Sequence, residues 1–569
     1  MDICWLVVSL CIEENAVNGY DLVAKCLKAE GTDWIACFPD NPLIEASARI
    51  GIRPIVFRQE RGAINAADGY SRQLAGKKIG VFVSQSGPGV ENSFGGIAQA
   101  WGEAVPLLFL PGGSGVGRYD IQPNFSAVKN YEHVSKLAIS IDQPNRTTRE
   151  MRRAFHTLKQ GRPGPVVVEL HGDVLAREIT EGVDEYRVPK SMPTRPNLSD
   201  VKDAVRLLVE ARNPVLWIGQ GVLYANACEQ LMDFVDLAQI PVITTMQGKS
   251  AFPDDHALAL GSANRTAPKT VFEWLGSTDL VFAVGSALTR TGFGLEIPAG
   301  KRIVQSTNNA LDINKDYSVE LGLVGDARLT LDCLIEEFRA QVGDNGRPHN
   351  EALAKSIRDS KQSWINDWTP KLNSSETPIN PYRVINAINN VIDHENSVVT
   401  HDAGNPRDQI MPFYRASKPY GYIGWGKTTH LGYGLPLAIG AKLAAPEKFC
   451  MNFMGDLAFG HTGTEIETAV RADAPITSVI VNNGTMGGYD KKLKVAMAKY
   501  GVGNQSGEYA AMSKALGATG IVVTRPEEIE PALKSAQTEN KEGRTTVIEI
   551  ITRQDTDFSQ YPAFLRPAA

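Results

Sequence analysis

Short apolar runs alternate along most of this chain with longer segments in which apolar positions recur at helical spacing. In the first third, residues 34–38, 79–84, 106–110 and 165–170 read as buried strands, and 21–29 and 62–75 as helices. The middle repeats the pattern, with strands expected at 215–219, 242–245, 280–285 and 302–306, and the last third has apolar runs at 450–454 and 476–481. Such alternation marks parallel sheets covered by helices on both faces. Proline and polar residues at 186–199 interrupt it as a linker, and residues 342–378 form a second polar linker with a helical middle. The pattern therefore predicts an α/β protein of three doubly wound parallel-sheet domains, at 14–185, 199–341 and 379–556, with a tail at 557–569. A length of 569 residues is too great for one core and agrees with that division.

The richest stretch chemically is GDLAFGHTGTEIETAVRADAPITSVIVNNGTMGG, residues 455–488. Gly455 and Asp456 break one apolar run into a turn, and Asn482, Asn483 and Gly484 close the next. A carboxylate and an amide at neighbouring strand ends offer oxygen ligands at the carboxyl edge of a parallel sheet, where α/β folds bind ligands. Mg²⁺ takes hard oxygen ligands and shares its shell with phosphates, and a helix start directs free N–H groups at those phosphates. Asp456, Asn483 and the backbone carbonyl of Thr485 are the candidate metal ligands. The alternative is an ordinary crossover in which Asp456 caps a helix and Asn-Asn-Gly is only a turn.

Composition narrows the classes. Hydrophobic residues make up 43% and charged residues 21%, as in a globular protein, and the net charge of −6 argues against a broad nucleic-acid surface. The seven cysteines form no CxxC pair and lie mostly in apolar runs, as buried thiols do in a reducing compartment. The opening MDICWLVVSLC is short, begins with an acid and lacks a cleavage site. A cytoplasmic chain without export signal or membrane partner is expected.

Gly-Asp followed after 27 positions by the second Asn of a pair resembles the fingerprint of thiamine diphosphate enzymes, with Leu457 where Gly is usual. RQERGAINAADGYSR (58–72) and SGPGVENSFGGIAQAW (86–101) resemble the pyrimidine-binding domain of that family, and PVITTMQGKSAFPDDHALALG (241–261) resembles the central domain of acetolactate synthases. HDAGNP (401–406) and WGKTTHLGYGLPLAIGAKLA (425–444) precede the diphosphate stretch in the family's order. Glu60 alone would read as a charge at a helix N-terminus.

The resemblance implies pyrimidine-binding, central and diphosphate-binding domains, with Glu60 as the catalytic glutamate that protonates the aminopyrimidine ring. It implies cofactor contacts from Gly404, Asn405, Leu431, Gly455, Asp456, Leu457, Ala458, Asn483, Met486 and Gly487, with Leu431 as the apolar wedge beneath thiamine diphosphate. Gln122, His430 and His461 are candidate neighbours of the reacting carbon. FAD or ADP occupies the central domain of some relatives, and Gly219, Gly221 and Gly285 are weak signals of such an approach. A homodimer or homotetramer with sites between subunits is also implied.

Three functions compete: an acetolactate-synthase-like decarboxylase and carboligase acting on a 2-oxo acid, a 2-hydroxyacyl-CoA lyase or oxalyl-CoA decarboxylase relative acting on an acyl-CoA, and a catalytically silent paralogue. Retention of Glu60, Asp456 and Asn483 argues against the last. GSALTRTGFG (285–294) counts against acetolactate synthesis, because Arg290 is displaced and the acids found there in synthases are missing. Lys491 and Lys492, just beyond the diphosphate turn, would favour a dianionic substrate if they face inward; otherwise they are a solvated face.

Overall fold

A computed structural model describes residues 17–179 and 185–559. The opening apolar segment, with Cys4 and Cys11, lies outside them. Three six-stranded sheets carry the fold, and every ladder pair between their strands is parallel. The first contains β1 (Trp34–Phe38), β2 (Arg53–Val56), β3 (Gly80–Ser84), β4 (Leu107–Gly113), β5 (Leu137–Ile141) and β6 (Pro165–His171), in the order β2-β1-β3-β4-β6-β5. The second contains β7 (Pro214–Ile218), β8 (Val242–Thr245), β9 (Ala259–Ala263), β10 (Leu280–Val284), β11 (Arg302–Thr307) and β12 (Leu321–Val324), in the order β12-β11-β10-β7-β8-β9. The third contains β13 (Ser397–His401), β14 (Tyr422–Ile423), β15 (Phe449–Gly455), β16 (Thr477–Asn482), β17 (Thr519–Val523) and β18 (Thr546–Ile551), in the order β14-β13-β15-β16-β18-β17.

The first and third sheets thus share one winding. The second has the strand order of dinucleotide-binding folds, with its reversal between β7 and β10. In each sheet the winding reverses beside its first strand, and loops leaving adjacent strands in opposite directions open a crevice at that point. In the third sheet the reversal lies between β13 and β15, which places Gly404 and Asn405 beside Gly455 and Asp456. Between the domains, residues 185–197 run without regular structure, and the second linker contains a helix, Glu351–Leu372.

The first and third domains share one apolar core. Ala63, Ala66 and Ala67 of the helix Glu60–Gln73 pack with Leu435, Leu437 and Ile439 of the helix Gly434–Ala444. Small residues let these two backbones touch. A β-carbon on Gly440 would lie 1.8 Å from the carbonyl oxygen of Ala66, and one on Gly69 would lie 2.2 Å from that of Leu437. The central domain closes a separate core around both faces of β7 and β10. Cys26, Cys37, Cys333 and Cys450 are buried free thiols and Cys228 is half-buried; burial pushes Cys26, Cys37, Cys228 and Cys450 up to about 12, so they are protonated and inert.

Because all three atoms that a β-carbon on Gly440 would meet belong to backbone, Gly440→Ala is expected to cost about 3 kcal/mol, at the upper end of overpacking effects. Urea denaturation followed by tryptophan fluorescence measures it; an unchanged midpoint would show that the two helices separate freely.

Candidate active site

At the reversal point of the third sheet two helices start without side-chain caps. Gly404, at φ +80°, caps the helix Asn405–Phe413, and Gly455 caps the helix Asp456–Thr462. Neither cap residue supplies a side-chain acceptor, and a β-carbon on Gly404 would enter open space. Asp456 is not itself a cap. It is buried, its Oδ1 accepts from the N–H of Leu457 (2.8 Å), and its Oδ2 accepts from the N–H of Gly484 (2.8 Å) in the turn after β16. Asn483 Oδ1 accepts from the N–H of Thr485 at 3.0 Å.

The carboxylate and the amide expected from spacing alone are thus joined through one turn. Burial pushes the Asp456 carboxyl above the usual carboxylate range against the pull of its N–H donors, a cost that a bound cation would relieve. Among the described residues no cluster of three or more His, Cys, Asp or Glu is arranged to hold a metal. A metal at this site would take Asp456, Asn483 and backbone oxygen.

The turn is pinned from outside: Met486 N–H donates to Gly503 O at 2.7 Å and Gln505 N–H to Gly484 O at 2.8 Å. Gly487 has no room for a side chain, since its β-carbon would lie 2.1 Å from Asn405 Nδ2. Asn405 thus lies against Gly487, Ala458 is buried and Leu457 half-buried.

Glu60 opens its helix, as the sequence suggested, and is buried with Oε1 3.4 Å from Asn92 Nδ2. Gln59 Nε2 donates to the carbonyl of His461 (2.9 Å), so the helix start rests on the diphosphate domain. His461 is exposed and His430 half-buried, with the His430 Nδ1 buried and without a hydrogen-bond partner. Burial first, and Arg61 second, lowers the pKa of both histidines, so near neutral pH they are proton acceptors. Leu431 is half-buried against the shared core.

Gln122 stands on an exposed loop and bonds to no described residue. That loop is anchored at both ends, by Asp173 accepting from Val116 N–H and Glu169 from Ala127 and Val128 N–H. Lys491 and Lys492 are exposed, and Lys491 Nζ donates to Thr556 Oγ1 at 2.7 Å, as a solvated face would. Arg290 pairs with Glu296 on the surface.

Three buried carboxylates around this site were not singled out from sequence. Asp402 accepts from the N–H groups of Ala403, Gly432 and Gly434 (2.8–2.9 Å) and so holds the segment carrying Leu431; burial pushes it up to about 6. Glu103 accepts from three successive N–H groups at 426–428. Glu465 accepts from Arg58 N–H (3.2 Å) and Thr468 Oγ1–H (2.6 Å) just before Glu60. The position of Asp402 beside Gly404 in HDAGNP was a usable signal; Glu103 and Glu465 read as ordinary helix acids.

Family models match the chain in three consecutive pieces: the N-terminal thiamine pyrophosphate-binding domain at 17–139, the central domain of thiamine pyrophosphate enzymes at 201–334, and their C-terminal thiamine pyrophosphate-binding domain at 402–550. The chain belongs to the thiamine pyrophosphate enzyme family. Within it, the chain is 28% identical to a probable acetolactate synthase large subunit of Methanocaldococcus jannaschii, over 92% of this chain and 90% of that one. It is 28% identical to the glyoxylate carboligase of Escherichia coli O157:H7 (91% and 90% covered) and 28% identical to the sulfoacetaldehyde acetyltransferase of Castellaniella defragrans (94% and 92%). The chain is an enzyme of this family, and the three matched pieces fall on the three sheets. No described helix is long and apolar enough to cross a membrane.

Burial pushes Glu465 up to about 7, against the N–H groups of Arg58 and Gln59 and the Thr468 hydroxyl. A carboxyl raised in the folded state favours folding fully below its unfolded value of about 4.3, and that contribution is lost as pH rises through about 7. Glu465→Gln, always neutral, should therefore gain stability relative to the parent as pH rises from about 4.3 to about 7. Thermal unfolding of both proteins across that range checks this, and parallel profiles would remove Glu465 from the linkage.

Proposed function

We propose that this protein is a thiamine diphosphate- and Mg²⁺-dependent decarboxylase and carboligase acting on a 2-oxo acid. The observation that carries the reading is the joining of Asp456 and Asn483 at the crevice of the third sheet, with two uncapped helix starts around them. Thiamine diphosphate suits that crevice: the start of the helix after Gly404 would face its diphosphate, and Asp456, Asn483 and the Thr485 carbonyl would hold the magnesium. Leu431 would lie beneath the rings. The chemistry it supplies when bound is a nucleophilic carbon that adds to a carbonyl and accommodates the charge left by departing carboxylate.

The protein's part is to position and to move protons. Glu60, buried beside Asn92, would hold a proton at the aminopyrimidine end. Neutral His430 and His461 would accept protons near the substrate.

Those relatives are named for acetolactate synthesis, glyoxylate carboligation and sulfoacetaldehyde acetyl transfer, which favours carbon–carbon bond chemistry on small acids over the acyl-CoA alternative. The exposed placement of Lys491, bonded to Thr556 Oγ1, favours the solvated-face alternative over a dianionic substrate. A homodimer or homotetramer fits Phe94 and Trp101, exposed two turns apart on one face of the helix Pro88–Gly102; sedimentation analysis tests it.

A cleft of about 470 Å³ beside the central sheet, reached by Gly219, Gly221, Gly285 and Lys427, lies at the reversal of a dinucleotide-type strand order. We read it as the place for FAD or ADP, which visible absorbance of the purified protein distinguishes.

The deciding experiment supplies thiamine diphosphate and Mg²⁺ and measures decarboxylation and coupling across a panel of 2-oxo acids and acyl-CoAs. Turnover of acyl-CoAs alone would overturn the 2-oxo acid reading. Glu60→Gln is expected to fold and bind cofactor while losing at least about 10²-fold in exchange of the thiazolium proton; exchange at the parent rate would exclude Glu60. Asp456→Ala removes the one charged ligand and is expected to abolish Mg²⁺-dependent cofactor retention. Unchanged affinity by calorimetry would return Asp456 to the role of a turn residue.

A further inference from the structure

Glu103 follows the last residue of the helix Pro88–Gly102 and is completely buried. A carboxylate there opposes the helix dipole and loses its hydration, so its burial requires compensation. Its Oε1 accepts from the N–H groups of Gly426 (3.0 Å), Lys427 (2.6 Å) and Thr428 (3.1 Å), all in the diphosphate domain. Its Oε2 accepts from Gln247 Nε2 (3.1 Å), and its main-chain carbonyl accepts from Gln220 Nε2 (2.7 Å), both in the central domain. One residue of the pyrimidine-binding domain is thus bonded to both of the others.

From this anchor the segment 426–431 runs back along the same helix. A β-carbon on Gly102 would lie 2.9 Å from Thr428 Cγ2, and one on Gly95, two turns earlier on that face, 3.6 Å from the His430 ring. One turn further back, Asn92 meets Glu60. The helix is therefore a rail with Glu60 at one end and the segment leading to Leu431 clamped at the other.

We infer that Glu103 is a positioning residue for the reaction, fixing the backbone of residues 426–428 so that His430 and Leu431 are held in register on the Pro88–Gly102 helix. This rests on the cofactor reading above, because its consequence is read through Leu431 beneath thiamine diphosphate. The neutral amide of Glu103→Gln weakens three charge-assisted hydrogen bonds at once while keeping the shape.

The test is thiamine diphosphate affinity by calorimetry and steady-state kinetics on the full chain. Glu103→Gln should stay folded, with cofactor Kd raised about tenfold, kcat lowered about tenfold and substrate KM changed less than about twofold, because the loss falls on preorganisation of the cofactor. Glu103→Asp, which keeps the charge, should recover part of both losses.

Gly102→Ala gives an independent arm, since it pushes on the Thr428 methyl without altering any charge. It should show the same cofactor defect, and adding Thr428→Ser, which removes that methyl, should restore it. Parent-like affinity and kcat in Glu103→Gln, or a Gly102→Ala defect that Thr428→Ser leaves untouched, would overturn the inference. If Glu103→Gln fails to fold, the Gly102→Ala pair decides alone. A parent chain that binds no thiamine diphosphate overturns the cofactor reading and the inference together, whereas a parent that binds normally confines any failure to Glu103.

Discussion

The contact on which the other features depend is backbone against backbone, where the helix Glu60–Gln73 meets the helix Gly434–Ala444. Ala66, Gly69 and Gly440 allow an approach that any larger residue would prevent. Interhelical distance follows side-chain size at the contact, so this pair is both close and intolerant of drift. Glu60 begins one helix, and the segment carrying Leu431 leads into the other. Packing of small residues therefore fixes the start of the Glu60 helix relative to the segment that carries Leu431 before any polar contact is formed.

Polar groups then refine what packing sets coarsely. Asp402, Glu103, Glu465, Glu169 and Asp456 are all buried, and each accepts from backbone N–H groups of a connecting segment. Loops at a sheet edge leave amide donors without ladder partners, and a buried carboxylate satisfies two or three of them at once. The exchange is not free, as the upward shifts of Asp402 to about 6 and Glu465 to about 7 show that the N–H donors only partly offset burial. Such groups hold loops in one geometry more than they stabilise the chain, since a buried charge costs nearly what it returns.

How much of this was legible in the sequence follows from what each strand buries. In the first two sheets the strands expected from apolar runs are the interior ones: β1, β3, β4 and β6, then β7, β8, β10 and β11. Edge strands such as β2, with RPIV partly exposed, and β12, with LGLV half-buried, leave one side open and show no continuous apolar run. In the third sheet the interior β13 and β18 were also not singled out. Their polar members Thr400, His401 and Glu549 are buried by specific partners, which no periodicity reveals. At the site, Asp456 and Asn483 were legible because their spacing reflects one crossover. Glu103 was not, because its hydrogen-bond partners all lie more than a hundred positions away, in the other two domains.

Relatives named for three different reactions share this scaffold at similar identity over nearly their whole length, so the scaffold does not select the reaction. What can vary without disturbing the packed helices or the amide-bound carboxylates is limited to side chains that face the crevice and carry no structural bond. His430 has an unpartnered ring nitrogen, and Gln122 bonds to no described residue. His461 is anchored only through its carbonyl, and Leu457 through its N–H. These four positions are free in the sense that replacing their side chains breaks no recorded hydrogen bond. A family that keeps its cofactor chemistry and changes its acceptor would do so at positions of this kind, where a new side chain disturbs neither the packed helices nor the amide-bound carboxylates.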